Sequence, residues 1–517
     1  MTRLDKATLH PWVLMSLALG SGFLLALGFA PWGLWPCTAA GVGLLTWLTA
    51  GRRARSAFGL GWLAGASYYG CTIWWVASQA GAAVFALVAL MAIWIGLAGM
   101  ATRFITRLPF WPLLTPMVWV AIESGAAMVP FGGFPWMRLG YTTIDQPLAG
   151  WLPYVGTPGA TWLVAFTGCC ALAVLGKQRR VMPAFLAVAV FSLGGALLLI
   201  PVDQPAQTVN IGMVQGNVEL GELGGYIAAT GATPHHLSET IFLLAESRSE
   251  GKPLDMIVWA ENSTDTDPSI NRTTRAQITA AVELARVPVL VGALTVGPEP
   301  HTRQTTSQVW APGEGVTADY HKRNLVPFGE FVPMREILEP LFPEVKRAGE
   351  QSIPGDGAGV LAIPSPRFPD LQAGTVICYE LAYDQTVYDI VNAGSHIQVA
   401  QSTTHNFSGT IEPRQQMAIN RVRAAELRRE FVATTLNGYS GLIDATGRVH
   451  EPTREYTAAH RIYSVPLRDN VTAAVRVAPL LSITSLVGAI IATIAGCRIP
   501  GRLDRNYDDV VTVKEKQ

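Results

Sequence analysis

The sequence predicts a two-part fold in which membrane-spanning helices carry a layered α/β domain. Three observations support it: the overall composition, long apolar runs near both ends of the chain, and short strand-like runs between them. The 517 residues are 50% hydrophobic and only 15% charged, and the mean hydropathy is +0.28. That is too apolar for an ordinary soluble enzyme. The formal net charge is zero, so we expect no nucleic-acid partner.

Several apolar runs approach or exceed the roughly 18 to 20 residues that a helix needs to cross about 30 Å of hydrocarbon. We therefore expect about eight spanning helices. The predicted spans are Pro11–Phe29, Gly33–Ala50, Ala57–Ala77, Ala82–Thr102, Trp111–Val129, Thr157–Gly176, Met182–Val202 and Val477–Cys497. The first run lacks a small-residue cleavage site before the second run begins, which favours a retained helix over a removed signal peptide.

Basic residues in the short loops predict the orientation, because such residues remain on the cytoplasmic side. They occur before the first span and after alternate spans, whereas the loops between them carry little charge. The basic residues are Arg3, Lys6, Arg52, Arg53, Arg55, Arg103, Arg107, Lys177, Arg179, Arg180, Arg498, Arg502 and Arg505. We expect both termini to be cytoplasmic, and the segment between the seventh and eighth spans to lie outside the cytoplasmic membrane.

The predicted domains are residues 1–203 with seven spans, residues 204–472 as an extracytoplasmic domain, and residues 473–517 with the last span and a cytoplasmic tail. In the middle segment, strand-like runs alternate with polar helical stretches. The candidate strands are 208–214, 255–260, 287–293, 306–311, 375–379, 397–401, 431–435 and 440–444, and the candidate helices are 235–248, 273–286, 383–392 and 414–428. This alternation predicts an α/β layered domain with a buried mixed sheet.

Cys378 is the one cysteine of six that lies outside the apolar runs and their ends. It ends a hydrophobic run and precedes a helix, and that edge of an open α/β sheet is where ligands usually bind. A cysteine nucleophile also needs a base and a donor for the oxyanion. Glu261 at the end of a strand and Lys322 in a mixed polar and apolar stretch are candidates for these roles. Taken singly, Cys378 can also be a core residue, and the other two can be structural or solvated.

Two further features are less specific. Glu123 lies inside the fifth predicted span, where a carboxylate is either functional or paired within the helix bundle. The nine histidines show no spacing of a metal site, so we expect neither a catalytic metal nor another cofactor.

Glu261, Lys322 and Cys378 occur in the order and surroundings of the Glu-Lys-Cys triad of the nitrilase superfamily. The stretch Leu325-Val326-Pro327-Phe328-Gly329-Glu330 resembles apolipoprotein N-acyltransferases, the membrane-bound branch of that superfamily. Similarity extends to 214–217 and to the 133–141 loop, and it covers most of the chain. Two places depart from the family pattern: Ala260 stands where proline is common, and the loop 402–409 lacks the usual aromatic sequence.

The resemblance implies an αββα sandwich and a ping-pong transfer of a fatty acyl chain. The donor is a membrane phospholipid, the acceptor is the N-terminal α-amino group of a diacylglyceryl-cysteine lipoprotein, and the intermediate is a thioester on the cysteine. It also implies that Glu261 is the base, that Lys322 stabilises the oxyanion and that Glu330 orients Lys322 or the amine. The residues expected to shape the pocket or bind substrate are Tyr379, Glu380, Asn406, Phe407 and Trp136.

Three alternatives remain open from the sequence. A membrane-anchored amidase or nitrile hydrolase would use the same triad with water as acceptor. A transporter or scaffold would use the outer domain only for binding, and its spans would then carry paired charges. A third alternative is a paralogue that keeps the triad but has lost the usual acceptor loop.

Overall fold

The computed structural model describes residues 9–175, 181–203, 205–218, 231–341, 345–346 and 349–499. The chain divides into two compact units, one formed by Met1–Ile200 with Ala473–Gln517 and the other by Pro201–Thr472. Several basic residues used to predict the orientation lie outside the described residues, namely Arg3, Lys6, Lys177, Arg179, Arg180, Arg502 and Arg505.

The first unit is helical. Its helices are α1 (Pro11–Leu27), α2 (Trp35–Thr49), α3 (Ala54–Thr72), α4 (Ala77–Ala80), α5 (Ala83–Ile105), α6 (Trp111–Ala126), α7 (Leu152–Leu175), α8 (Val181–Leu198) and the C-terminal helix Ala473–Cys497. Small residues let neighbouring helices approach closely, as is usual in membrane bundles. A Cβ atom on Gly61 of α3 would lie 2.5 Å from the carbonyl oxygen of Ile95 on α5.

Each predicted apolar run overlaps one of these helices, but the prediction of eight spans is not confirmed. Among the described residues, four helical stretches are long and apolar enough to cross a membrane: Ala83–Ile105, Pro147–Leu175, Val181–Leu198 and Ala473–Cys497. Helices α1, α2 and α6 have 17, 15 and 16 residues, which is shorter than the roughly 20 residues of a typical span. The first unit is therefore a membrane helix bundle whose number of crossings stays a prediction.

The second unit contains two mixed β-sheets. The strands are β1 (Thr208–Gln215), β2 (Met256–Val258), β3 (Val289–Val296), β4 (Thr302–Ala311), β5 (Gly315–His321), β6 (Gln351–Ser352), β7 (Val360–Ala362), β8 (Gln372–Ile377), β9 (Ile397–Ser402), β10 (Phe431–Thr435), β11 (Gly441–Ile443), β12 (Val449–His450) and β13 (Ala459–Pro466). One sheet has the order β13-β1-β2-β3-β4-β5, with β6 paired to β4, and the other has the order β12-β11-β10-β9-β8-β7. The central strands β1, β2 and β3 are parallel, as are β8, β9 and β10.

Apolar side chains from both sheets form one core between them, including Ile211, Val258, Ile377 and Val432. Helices cover the outer faces: α9 (Ala232–Glu250) and α10 (Arg272–Ala285) share a buried cluster with the first sheet. Helices α12 (Asp384–Asn392) and α13 (Glu412–Leu427) pack against the second sheet, and α11 (Arg335–Leu341) follows β5. These layers confirm the predicted αββα sandwich.

The sequence analysis located eight strands, and the structure adds β5, β6, β7, β12 and β13. Strand β5 was missed because its sequence Gly-Val-Thr-Ala-Asp-Tyr-His is mostly polar and half exposed, as befits the edge of a sheet. The alternation of strands and helices predicted a layered domain with a buried mixed sheet, and the structure contains two mixed sheets that pack face to face.

The core between the sheets yields a stability prediction. Ile211 is fully buried there, whereas Ile241 on α9 is 49% exposed. We expect Ile211→Ala to lower the free energy of unfolding by about 2 to 5 kcal/mol, because it removes apolar contacts and leaves a cavity. Ile241→Ala should change it by no more than about 0.5 kcal/mol. Thermal unfolding of the full-length protein in detergent tests this, and equal melting temperatures for the two variants would contradict it.

Candidate active site

The three candidate residues each follow the end of a strand. Glu261 comes three residues after β2, while Lys322 and Cys378 directly follow β5 and β8. Gln401 of β9 donates through Nε2 to the carbonyl oxygen of Trp259 at 2.7 Å, and this bond joins the ends of two strands from different sheets. The residues that follow these strands therefore meet at one edge of the sandwich.

Lys322 is a buried cation held between two carboxylates. Its Nζ donates to Glu261 Oε1 at 3.2 Å and to Glu330 Oε1 at 2.7 Å, and the side chain is only 1% exposed. Burial alone would lower the pKa of Lys322, but the charges of Glu261 and Glu330 outweigh it and hold that pKa well above the ordinary value. Lys322 is therefore a permanent positive charge in a site that excludes water.

Glu261 has both carboxylate oxygens engaged. While Oε1 accepts from Lys322, Oε2 accepts from the backbone N–H of Thr403 at 2.7 Å. Burial raises the pKa of Glu261, Lys322 partly offsets that increase, and the charge of Glu330 adds to it. A carboxylate with a raised pKa is suited to accept and return a proton.

Gly292 on β3 lies directly against the backbone of Glu261. A Cβ atom there would be 2.3 Å from the carbonyl oxygen of Ala260 and 2.6 Å from Glu261 Cα. The absence of a side chain at this position lets the chain after β2 turn across the sheet edge and point Glu261 toward Lys322.

Cys378 opens the 3₁₀ turn Cys378–Ala382 and has φ +52°. A left-handed conformation is costly for a residue with a Cβ atom and often marks a functional position. The residue is partly exposed between the buried Ile377 and Tyr379. Gln416 Nε2 lies 3.7 Å from its Sγ and donates to Ser402 Oγ at 2.7 Å. The turn therefore holds Cys378 beside Gln416 of α13 while leaving the residue partly exposed.

The resting thiol of Cys378 is neutral. Burial raises its pKa well above the ordinary value, and the negative charge of Glu261 raises it further, whereas Lys322 lowers it. Because the thiolate is disfavoured, a reaction at this sulfur requires a base that removes the proton during attack.

Glu380 is buried and joins the Lys322 segment to the Cys378 turn. It accepts from the Tyr320 hydroxyl at 2.7 Å, from Arg323 N at 2.7 Å and from Ile377 N at 2.8 Å. Sequence reasoning expected Glu380 to shape the pocket, and these bonds indicate a positioning residue. Glu330 Oε2 accepts from Val326 N at 2.8 Å, which fixes the second carboxylate in the same way.

The remaining predicted site residues fall into three places. Tyr379 is 3% exposed and packs edge to face on Tyr383, with ring centroids 5.4 Å apart. Asn406 and Phe407 lie in the partly exposed 3₁₀ turn His405–Phe407 that follows β9. Trp136 belongs to the helical unit, is 2% exposed, and packs on Trp75. The substrate-binding roles of these residues stay predictions.

Sequence reasoning missed three contributors. Thr403 acts through its backbone N–H, which no side-chain pattern reveals. Gln416 and Glu412 lie on α13, and both are 2% exposed. Burial raises the pKa of Glu412 to about 8, with the charge of Glu261 as the second cause. A glutamate at the first position of a helix is common for local reasons, so its burial was not evident from sequence.

Within the described residues, no group of three or more His, Cys, Asp or Glu side chains is arranged to hold a metal ion. The site contains one ammonium, at Lys322, and carboxylates at Glu261, Glu330 and Glu412. A thiol, a carboxylate and a buried cation are the groups that cysteine-based acyl transfer uses.

Comparison with known proteins agrees with both units. Residues 251–465 match the carbon-nitrogen hydrolase family, so the α/β unit defines the chain as a carbon-nitrogen hydrolase-type protein with an attached helical unit. Residues 21–170 match the N-terminal domain of apolipoprotein N-acyltransferases. The chain is similar to apolipoprotein N-acyltransferases in its helical unit and to carbon-nitrogen hydrolases in its α/β unit.

Relatives extend this similarity over nearly the full length. The apolipoprotein N-acyltransferase of Mycolicibacterium smegmatis is 28% identical over 519 residues, covering 95% of this chain and 86% of the relative. That of Pseudomonas putida is 28% identical over 476 residues, covering 85% and 88%. Among solved structures, an amidase from Nesterenkonia sp. aligns with 53% of this chain and 96% of its own, at 13% identity and a TM-score of 0.35.

The neutral thiol yields a prediction for alkylation. Because only the thiolate reacts, the rate of Cys378 alkylation by iodoacetamide should rise with pH to a midpoint above about 8.5, the value of a free cysteine. In Glu261→Gln the midpoint should fall, since a negative charge that disfavours the thiolate is removed. Peptide mapping after timed labelling measures both midpoints. A wild-type midpoint at or below that of glutathione, measured in parallel, would contradict the prediction.

Proposed function

We propose that the protein transfers a fatty acyl chain from a membrane phospholipid to the N-terminal α-amino group of diacylglyceryl-cysteine lipoproteins, through a thioester on Cys378. The observation that carries the proposal is the partly exposed residue Cys378 in the field of Glu261 and Lys322, inside a chain whose two units match the N-terminal domain of apolipoprotein N-acyltransferases and the carbon-nitrogen hydrolase family. The names of the relatives supply the acceptor class, and the chemistry of the site supplies the route.

In the first half-reaction, Glu261 takes the thiol proton as the sulfur of Cys378 attacks the ester carbonyl of the phospholipid. Lys322 and a backbone N–H beside the cysteine stabilise the oxyanion. When the tetrahedral intermediate collapses, the carbon–oxygen bond breaks and the leaving lysophospholipid oxygen takes the proton from Glu261. The acyl group remains on sulfur as a thioester, and Glu261 is again a carboxylate.

In the second half-reaction, the acceptor amine attacks the thioester carbonyl and loses a proton to Glu261. Lys322 again stabilises the oxyanion. The carbon–sulfur bond then breaks, Cys378 recovers its proton, and the product is an amide. Glu330 supports both steps by holding Lys322 from its second side, with an N···O distance of 2.7 Å.

A membrane location suits this chemistry because both substrates keep their acyl chains in the bilayer. Extracting a fatty chain costs about 0.8 kcal/mol per methylene, so an unanchored enzyme would lose much of its binding energy on that step. The alternation of basic and uncharged loops supports a multi-pass protein in the cytoplasmic membrane, with cytoplasmic termini and an extracytoplasmic α/β unit. Asn406 and Phe407 after β9 are the substrate-binding residues proposed for the α/β unit, and Trp136 is the one proposed for the helical unit.

The thioester is directly testable. Purified protein incubated with phospholipid alone should gain the mass of one fatty acyl group, and hydroxylamine should remove it. Cys378→Ala should gain nothing, whereas Cys497→Ala, which removes an exposed cysteine of the C-terminal helix, should behave as the wild type. Intact-mass spectrometry measures the increment. Release of free fatty acid without an accumulating adduct would instead favour the membrane-anchored hydrolase.

The raised pKa of Glu261 predicts the acid side of the pH profile. As the pH falls through that pKa, the carboxylate is protonated and can no longer accept the thiol proton, so thioester formation should decline at a pH above about 4.3, the ordinary value for glutamic acid. Glu330→Gln removes a charge that raises the pKa of Glu261 and should move the decline to lower pH. The exposed Glu336→Gln is the control. Single-turnover acylation rates between pH 4 and 8 measure the shift, and an upward shift in Glu330→Gln would refute the assignment.

A further inference from the structure

Helix α13 carries a row of buried acceptor atoms that the two half-reactions leave unused. Glu412 Oε2, Gln416 Oε1 and Asn420 Oδ1 are buried and have no hydrogen-bond partner within the described residues. Their residues are spaced four apart, so they share one face of the helix. The exposed fractions are 2%, 2% and 3%. Buried polar atoms are rarely left without a partner, and such atoms in a native protein often belong to a site for a bound group.

The same face of α13 reaches the reacting sulfur. Gln416, one turn after Glu412, contacts Cys378 Sγ at 3.7 Å. The charge of Glu412 also acts on the pKa of the Cys378 thiol, and the charge of Glu261 acts on that of Glu412. Glu412 is therefore a third carboxylate of this site. It differs from the others because, among the residues that the structure describes, Lys322 donates to Glu261 and Glu330.

The charge balance indicates what this row would bind. Two carboxylates, Glu261 and Glu330, flank the single ammonium of Lys322, and ionisation of Glu412 would add a further negative charge. A group with several N–H donors and a positive charge would satisfy the empty acceptors and the charge together. The reacting ester of a phospholipid has neither property, whereas the α-ammonium of the acceptor has both.

We propose that Glu412, supported by Gln416 and Asn420, binds the α-ammonium of the acceptor and accepts the proton that the reaction releases. This inference rests on the proposed function. An ammonium that becomes an amide loses two protons: one returns to Cys378 through Glu261, and the other must leave. A carboxylate beside the ammonium, but free of Lys322, takes that second proton and passes it to water. The pKa of about 8 for Glu412 is close to that of an α-amine, roughly 7.7 to 8.0.

The experiment separates the two half-reactions in full-length protein in detergent. Thioester formation is followed by intact mass with phosphatidylglycerol, which has no amine, and separately with phosphatidylethanolamine. Transfer is then measured from the preformed thioester to a synthetic peptide that begins with diacylglyceryl-cysteine. Release by hydroxylamine, which is uncharged at neutral pH, reports the reactivity of the thioester without ammonium binding.

For Glu412→Gln we expect release by hydroxylamine to equal the wild type, and thioester formation from either lipid to be no slower than in the wild type, because removing this negative charge favours the thiolate of Cys378. Transfer to the peptide should fall about 10- to 100-fold in kcat/KM, because the variant loses a charged hydrogen bond to the acceptor and cannot take its second proton. Glu412→Asp should recover part of the loss. The exposed Glu314→Gln removes the same charge from the turn between β4 and β5 and should change neither half-reaction.

The experiment distinguishes a failure of the proposed function from a failure of the ammonium site. If the wild type forms no thioester, the proposed function itself is wrong. If Glu412→Gln transfers to the peptide as well as the wild type does, the ammonium site is refuted. Slower acylation of the variant by phosphatidylethanolamine alone would assign the carboxylate to the donor headgroup, and slower acylation by both lipids would assign it to the first half-reaction. Either result overturns the proposal.

Discussion

The buried ammonium of Lys322 is the interaction on which the rest of the site depends. Removing such a charge from water costs several kcal/mol, and only well-placed partners offset this cost. Glu261 and Glu330 provide them at 3.2 and 2.7 Å. The same pairing holds the pKa of Lys322 well above its ordinary value and partly offsets the effect of burial on the pKa of Glu261, as the proposed oxyanion and base roles require. Removing either carboxylate would therefore change the function of the groups that remain, as well as their stability.

Several hydrogen bonds to the backbone fix the positions of these charged groups relative to the sulfur of Cys378. Glu380 joins β5 and the segment after it to the end of β8, because it accepts hydrogen bonds from Tyr320, Arg323, Asn324 and Ile377. From the other side, Arg423 of α13 donates to the carbonyl oxygen of Leu381 and to Asp384, both at 2.8 Å. The left-handed conformation of Cys378 is thus held by contacts before and after it. Strain of this kind persists where the surroundings determine the backbone conformation, and it fixes the direction of the nucleophile.

The layers of the α/β unit and the three residues at strand ends could be predicted from the sequence, because both depend on local patterns. Alternating apolar runs predicted β1, β8, β9 and β10, and Cys378 stood out as a lone cysteine after a hydrophobic run. The edge strand β5 and the pairing of sheets depend on contacts distant in sequence, so no local pattern revealed them. Glu412 and Thr403 were missed for the same reason. For Glu123 the sequence allowed either a functional role or pairing within the helix bundle. Its carboxylate accepts hydrogen bonds from Leu139 N at 2.7 Å and from the Thr161 hydroxyl at 2.6 Å, which favours pairing within the helical unit.

A neutral resting thiol also has a consequence for the lifetime of the enzyme. Thiolates are the form that oxidants and metals attack, and low-pKa cysteines are the most susceptible. Burial and the charge of Glu261 disfavour the thiolate of Cys378, so the sulfur is protected until, in the proposed reaction, Glu261 removes its proton during attack on a carbonyl. In the proposed extracytoplasmic location, where the environment is oxidising, this arrangement would keep the cysteine of the α/β unit available for that reaction. A nucleophile activated by a low pKa would react faster with oxidants there as well as with substrate.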